Sequence, residues 1–528
     1  VPFLLLLCCA CLTAADPDAW VAEVMPPGDS WKTHRQHLVV NNDSEPRTLD
    51  PQAMTGNVEA RAALALFEGL TTLDPRDLTP RPGLAESWSS SADGLSWTFT
   101  LRPGLQWSDG TPIDSASVRA SWLRLLDPAT GAAYAELLDP VVGAEAIRAG
   151  ATTALGVDLP DARTVVVRLA RPCPWLLSLV AFHALSPVPL HAVATHGERW
   201  TRPEAIVVSG PFTLAEWTPR ERLVLVPNPR WHGRARVRLE RIELLPYSDL
   251  DAAYRLYRQG AIDWLPSIPQ PKWEELRWLP DYYCSPLLAS YFYRFNCSKP
   301  PFDDRRVRMA LSLAVDRQVI AGQILRAGQV PATWLTPAVA GYEPPAGLPT
   351  DRARARALLA EAGYGPGGKP LAFELLFNTS DAHKTIAEAI AGQWREHLGV
   401  EARLANREWK TYLADTDALR YDVARASWIG DYLDPDTFLS LWRSGGGNNR
   451  TGWSDAAYDA GLAAAQTDID PRRRLERYRE LERQLVERDF PFLPVYIYVA
   501  QGLLRDRVRG WHENVRDEHP WQYLWVEP

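Results

Sequence analysis

The sequence predicts an α/β protein, mixed α+β in detail, and three observations predict it. Short β-rich runs alternate with helical periodicities along the whole chain, the pattern of sheets flanked by helices. At 528 residues the chain exceeds the size at which one hydrophobic core keeps growing, so two or three domains are expected. Hydrophobic residues make up 46% and charged residues 23%, values that exclude a disordered or fibrous class and leave ample core to bury.

HLVVNNDSEPRTLDP (37–51) reads as a strand running into a turn, and ARAALALFEGL (60–70) as a helix. WTFTLRPGLQWSDGTP (97–112) places Trp97, Phe99 and Leu101 on one face of a strand, then turns at Pro-Gly and Asp-Gly. RTVVVRLARP (163–172) and ERLVLVPNPRW (221–231) are further strands. Helical periodicity runs through PFDDRRVRMALSLAVDRQVIAGQIL (301–325) and DAHKTIAEAIAGQWREHLGV (381–400). EPPAGLPTD (343–351) is the closest thing to a linker, and the helix ARALLAEAGYG (355–365) after it carries Gly363 near its C-cap. RRRLERYRELERQ (472–484) interleaves acids and bases at helical spacing and reads as an exposed helix face.

Lys plus Arg total 57 against 65 Asp plus Glu, a net charge of -8, which disfavours a nucleic-acid or anionic-membrane surface. The first residues, VPFLLLLCCACLTAADPDA, hold an apolar run of about ten residues, too short to span a bilayer, followed by Thr13, Ala14 and Ala15. Residues 1–15 are read as an export signal, and with Val first and no basic start the sequence is expected to be truncated at its front. The mature protein is expected to be exported to the periplasm and soluble, with lipid attachment through Cys11 as an alternative. Among the six cysteines, three lie in the leader; Cys173, Cys284 and Cys297 remain and allow at most one disulfide, Cys284–Cys297 being one possibility.

The stretch RASWIGDYLDPDTF (425–438) concentrates one Arg, one Trp and three Asp. Asp431, Asp434 and Asp436 lack the alternating ligands, central Gly and terminal Glu of a calcium loop, and Pro435 intervenes. The ten histidines form no HExxH or Cys/His pattern, and no GxSxG, Walker A or dinucleotide-type glycine loop occurs. SGGGNNR (444–450) reads as a turn. No catalytic pair of carboxylates stands out for a glycosidase, and most of the 22 tryptophans are read as core. No metal, no cofactor and no enzymatic activity are expected.

TLDP (48–51), FEGL (67–70), GLAESW (83–88), WTFTLRPGLQWSDGTP (97–112), SGPF (209–212), FDDRRVRMALSLAVDR (302–317), LLFNTSDAHK (375–384), EWKTYL (408–413) and DVARASWIGDYLDPDTF (422–438) together resemble the periplasmic oligopeptide-binding proteins of ABC importers. The resemblance is collinear over nearly all of the mature chain and is strongest to the murein-peptide-binding branch. It implies two lobes around a hinge with an extra subdomain on the first: lobe I at 24–67, 185–288 and 499–528, the subdomain at 68–184, and lobe II at 289–498.

The resemblance also implies a site. Asp431 takes the position that receives a peptide α-ammonium, Arg425 the one that meets the C-terminal carboxylate of short peptides, and His383 the one serving slightly longer peptides. Trp428 would line a side-chain pocket or belong to the core, Tyr134 would touch ligand from the subdomain, and the main chain around Gly56, Asn57 and Ser427 would pair with the peptide backbone as an added strand does. Thr55, Thr416 and Leu325 stand where the family carries charged ligand groups, and Ala289 and Ile429 where many members carry a disulfide. The implied function is a monomeric receptor that encloses a short peptide and hands it to an inner-membrane ABC permease. The alternatives are a receptor for a murein tripeptide, sugar or nickel chelate, and, from another class, a secreted hydrolase.

Overall fold

The computed structural model of the chain describes residues 16–25, 28, 32, 34–54, 56–339, 341–365 and 367–527. The expected export signal at 1–15, with Cys11, and Thr55 lie outside the described residues. From the N-terminus, β1 (His37–Asn41) and α1 (Asn57–Leu66) lead into an antiparallel unit of β2 (Ala85–Ser90), β3 (Ser96–Leu101), β4 (Val157–Asp161) and β5 (Thr164–Arg168), with α2 (Ser115–Leu126) before β4. β6 (Phe212–Thr218), β7 (Arg222–Pro227), β8 (Arg241–Leu245), β9 (Trp264–Leu265) and the long β10 (Tyr282–Phe295) follow. Then come α3 (Arg305–Leu313), β11 (Val330–Pro331), α4 (Arg352–Glu361), β12 (Ala372–Asn378), α5 (Asp381–Leu398), β13 (Glu401–Arg407), α6 (Trp409–Asp417) and β14 (Val423–Ile429). α7 (Ala456–Thr467), α8 (Pro471–Arg483) and the second long strand, β15 (Phe492–Leu504), complete the frame.

The large sheet runs β13-β12-β14-β10-β15-β9-β1-β8-β7-β6, with β11 added to β15. β10 and β15 are the two strands common to both halves. Their near part pairs Tyr282–Pro286 with Val499–Leu503, their far part pairs Ser290–Arg294 with Phe492–Ile497, and the register shifts between Pro286 and Ser290. Each half buries its own core: Leu38, Ile242, Trp264 and Trp521 on one side, Tyr293, Leu311, Ile390 and Trp394 on the other. A third core, around Phe99, Trp122 and Val167, belongs to the four-stranded sheet β2-β3-β5-β4. The α/β class and the two-lobed plan follow from separate cores strung on two continuous strands.

Local signals account for most element ends. The Ser380 hydroxyl accepts the His383 N–H and starts α5, and Gly399 at φ 65° ends it. Asp351 caps α4 in the same way, with Gly363 at φ 86° just beyond its end. Three expectations need correction. The helix anticipated at 60–70 begins at Asn57 and stops at Leu66, because Phe67 turns extended to enter the core. The periodicity over 301–325 is broken after Leu313 and resumes as a separate wide turn at Val319–Leu325. The charged helix at 472–484 is not wholly exposed: Arg474 pairs with Asp434, and Glu482 accepts the Leu335 and Thr336 N–H groups and the Tyr342 hydroxyl.

Cys173, Cys284 and Cys297 are all free thiols, which removes the Cys284–Cys297 bridge. Cys284 sits early in β10 and Cys297 two residues past its end. Thirteen residues of extended strand separate them by about 40 Å, far beyond disulfide reach. Ala289 and Ile429, by contrast, face each other across β10 and β14.

Candidate functional site

β14 creates the site because it is paired on one edge along its length and on the other only at its start. Along β10 the register runs Ala289↔Ile429, Ser290↔Trp428, Tyr291↔Ser427, Phe292↔Ala426, Tyr293↔Arg425. On the other side β12 pairs only at Val423 and Ala424. The Gly430 N–H donates to the Leu288 carbonyl at 2.8 Å. By the alternation of an antiparallel ladder, the main-chain groups of Trp428 and Ala426 therefore point at β10, and those of Arg425, Ser427 and Ile429 point at the open edge. Tyr412 donates its hydroxyl to the Arg425 carbonyl there. Among the described residues no strand pairs with the edge at Ser427 and Ile429, and Ile429 is 73% exposed.

Arg425, at one end of this edge, is 7% exposed. Its guanidinium reaches the Tyr498 hydroxyl at 3.1 Å and the Asn378 side-chain oxygen at 3.4 Å, and stacks 4.7 Å from the Tyr291 ring centre. Its Nε has no partner, and among the described residues no carboxylate pairs with it. His383 stands beside it, its Nδ1 3.3 Å from the Tyr291 hydroxyl. Burial first, and Arg425 second, pull the His383 pKa down to about 4, so the ring is neutral at pH 7 and waits beside a cation.

At the other end, Thr437 organises the loop. Its hydroxyl oxygen accepts the Trp428 indole N–H at 3.2 Å and the Asp431 N–H at 3.1 Å. Trp428 packs on the Phe438–Trp442 cluster, on the face of β14 opposite Arg425. Asp431 has no ion-pair partner among the described residues. Burial, reinforced by Glu136, pushes its pKa up to about 6 against the opposing pull of Arg516 and Thr437. Tyr134 rests edge-on against Phe182 at 5.0 Å and senses Asp431, which together with burial raises its own pKa.

The other two acids of the segment are spent inside the protein. Asp434 pairs with the buried Arg474, and Asp436 accepts the Tyr432 and Tyr478 hydroxyls and the Gln466 amide. Tyr432 stacks flat on Trp175 at 5.0 Å and 7°, tying the loop to the four-stranded unit. Among the described residues Asp431 is thereby the carboxylate of the three with neither an ion pair, as Asp434 has, nor the set of three side-chain donors that surrounds Asp436.

Gly56 caps α1 and Asn57 is its first residue. The Gly56 carbonyl already accepts the Ala60 N–H at 2.9 Å, and the Glu59 carboxylate would lie 2.5 Å from a Cβ at Gly56. This leaves N–H groups rather than carbonyls for any strand-like pairing. The partners of Arg425, namely Tyr291, Tyr498 and Asn378, and the hub Thr437 are not among the residues singled out from sequence. The alternation in SYFYRF (290–295) and VYIYVA (495–500), which lines tyrosines along one face, is a signal that could have found Tyr291 and Tyr498.

The bacterial extracellular solute-binding proteins, family 5 middle, match residues 79–450. The chain is 37% identical over 520 residues to the periplasmic murein peptide-binding protein MppA of Escherichia coli (strain K12), covering 96% of each. It is 38% identical over 491 residues to the periplasmic oligopeptide-binding protein OppA of Salmonella typhimurium, covering 90% of each. Among solved structures, the unliganded open form of the murein tripeptide-binding protein MppA matches with a TM-score of 0.84 at 36% identity, over 93% of this chain and 98% of that one. An edge strand carrying an uncompensated cation and an uncompensated anion, set in two lobes that share two strands, is therefore found in a chain that belongs to the bacterial extracellular solute-binding proteins of family 5.

Proposed function

We propose that this protein is the periplasmic receptor of a peptide ABC importer, enclosing a short peptide between its lobes and presenting it to an inner-membrane permease. One observation carries the reading: the open edge of β14 has a buried guanidinium without a carboxylate at Arg425 and a half-buried carboxylate without a cation at Asp431. A zwitterion supplies both missing charges. Its α-ammonium offsets the desolvation of Asp431 and its C-terminal carboxylate that of Arg425. The peptide would run antiparallel to β14, its backbone bonding the free groups of Ser427 and Ile429 as an added strand. The span from Arg425 to Asp431 is at most about 20 Å of extended chain, room for about three to five residues.

In this reading lobe I comprises 24–67, 185–288 and 499–528, lobe II 289–498, and the subdomain 68–184. The register shift between Pro286 and Ser290, opposite Ile497–Val499, supports placing the hinge there. Closure follows because only the shut form touches a peptide from both lobes. Binding and release, with no bond chemistry, are the whole reaction, and the peptide should be recovered intact. A murein tripeptide is the variant reading favoured by the likeness to the E. coli murein peptide-binding protein.

A thermal-shift panel of di- to pentapeptides, with a murein tripeptide included, tests the reading, since ligand at about 100 times its Kd adds roughly 2.7 kcal/mol. Free peptides should raise the melt while N-acetylated and C-amidated versions fail to. Equal shifts from blocked and free peptides would remove the charges at Asp431 and Arg425 from the explanation.

A further inference from the structure

The two ends of the open β14 edge are walled differently. Among the described residues, the side chains that contact Arg425 belong to one half of the large sheet: Asn378 ends β12, Tyr291 lies in β10, Tyr412 in α6 and Tyr498 in β15. His383, beside them, lies in the first turn of α5. The Asp431 end is built from three parts of the chain. Its own loop supplies Thr437, whose hydroxyl oxygen accepts the Asp431 N–H. The four-stranded unit supplies Glu136, which acts on the Asp431 charge, and Tyr134, which senses it. The segment after β15 supplies Arg516, which opposes Glu136 there and rests 5.6 Å from the Phe182 ring centre.

The same end carries packing that joins the cores to one another. Tyr432, the residue after Asp431, stacks flat on Trp175 and packs on the core of the four-stranded unit. Arg474 of α8 lies 5.4 Å from the Trp175 ring centre while it pairs with Asp434. Ile469, between α7 and α8, approaches the four-stranded unit as well: a Cβ at Gly94 would lie 3.8 Å from the Ile469 Cγ2 and 3.7 Å from the Pro172 Cβ. Val515 packs on the Phe438–Trp442 cluster, and its carbonyl accepts the Leu288 N–H at 2.6 Å, inside the stretch where β10 and β15 lose register.

A rotation leaves points on its axis in place and displaces the rest in proportion to their distance from it. Parting the contact at Trp175 would expose a ring that is 8% exposed as it stands, and would forfeit both the aromatic stack and the cation lying on it. A rotation about that contact keeps all of these. We propose that the Trp175–Tyr432 stack is the pivot of closure, so that the Asp431 end stands assembled before a ligand arrives and the Arg425 end gains its second wall only when the lobes shut.

The inference rests on the peptide-receptor reading and adds an order to it: the α-ammonium docks into a formed site, and the carboxylate end is covered second. Stopped-flow tryptophan fluorescence on the wild type tests the order, with Ala-Ala-Ala and a murein tripeptide as probes. C-amidation should leave the association rate within about threefold and speed dissociation at least about tenfold, whereas N-acetylation should slow association. Amidation that slows association and spares dissociation would overturn the order. The pivot itself is tested with Pro172→Cys and Ile469→Cys combined, in a background of Cys284→Ser and Cys297→Ser, using a short thiol-reactive cross-linker. Cys173 stays silent there, since it is 1% exposed and burial pushes its thiol pKa well up. The bridge should form at the same rate with and without peptide, and the bridged protein should bind with unchanged affinity and still compact in small-angle scattering. A bridge that never forms, that peptide prevents, or that abolishes binding until it is cleaved would overturn the pivot. If neither free peptide binds the wild type, the receptor reading itself falls.

Discussion

Replacing Asp431 by Asn removes one negative charge and keeps the side-chain shape, and it should move stability and binding in opposite directions. The carboxyl pKa stands at about 6 against an ordinary 3.8. Between those values the folded protein holds a proton that the unfolded chain has released, so stability falls as pH rises through that window. The rise corresponds to about 3 kcal/mol. Asp431→Asn escapes this loss: it should match the wild type below about pH 4 and exceed it by up to about 3 kcal/mol above pH 7. Binding should suffer instead, since truncating one partner of a buried charge pair costs about 2–5 kcal/mol, a rise in Kd of roughly thirtyfold or more. In the wild type itself, protonation of Asp431 should weaken peptide binding about tenfold between pH 7 and pH 5. Differential scanning fluorimetry from pH 4 to 8, with and without a free-amine tripeptide, reads both effects. An Asn variant that binds as the wild type does, or that is less stable at pH 7, would refute the assignment.

Arg425→Met should abolish the distinction between free and amidated C-termini, raising Kd for the free tripeptide at least tenfold while leaving the amide almost unchanged, as calorimetry would show. Arg474→Met should destabilise the protein by about 3–5 kcal/mol, because it leaves Asp434 as a buried charge without its partner; adding Asp434→Asn should recover much of that loss in urea melts. Ala289 and Ile429 face each other as a non-hydrogen-bonded pair of the β10–β14 ladder, with Cα atoms close enough to bridge. Ala289→Cys with Ile429→Cys should therefore oxidise spontaneously and add about 2–5 kcal/mol, read as a melting difference that reductant removes.

The segment 425–438 shows how far sequence reasoning reached. It exposed three acids and a cation, and the resemblance singled out Asp431 and Arg425. The structure adds why Asp431 is the odd one out: Asp434 is paired with Arg474 of α8, and Asp436 is hydrogen-bonded by Tyr432, Tyr478 and Gln466. The same long-range pairings explain the misreading of 472–484 as an exposed face, since the periodicity of charges is identical whether Arg474 meets water or a buried carboxylate. Arg294 was visible as a charge inside the apolar run LLASYFYRF (287–295), but its burial against the Asn448 carbonyl, with no carboxylate beside it among the described residues, was not.

What the sequence determined by itself is local: the caps at Ser380 and Asp351, the stops at Gly399 and Gly363, the alternating strands, the α/β class and, through collinear motifs, the family. Those features depend on neighbours within a few residues, where backbone sterics and short hydrogen bonds decide. Tertiary structure alone decided which charges are left over. Neutralisation of a buried ion depends on groups tens of residues away being brought within a few ångströms, and that is settled only when the cores around β10 and β15 close.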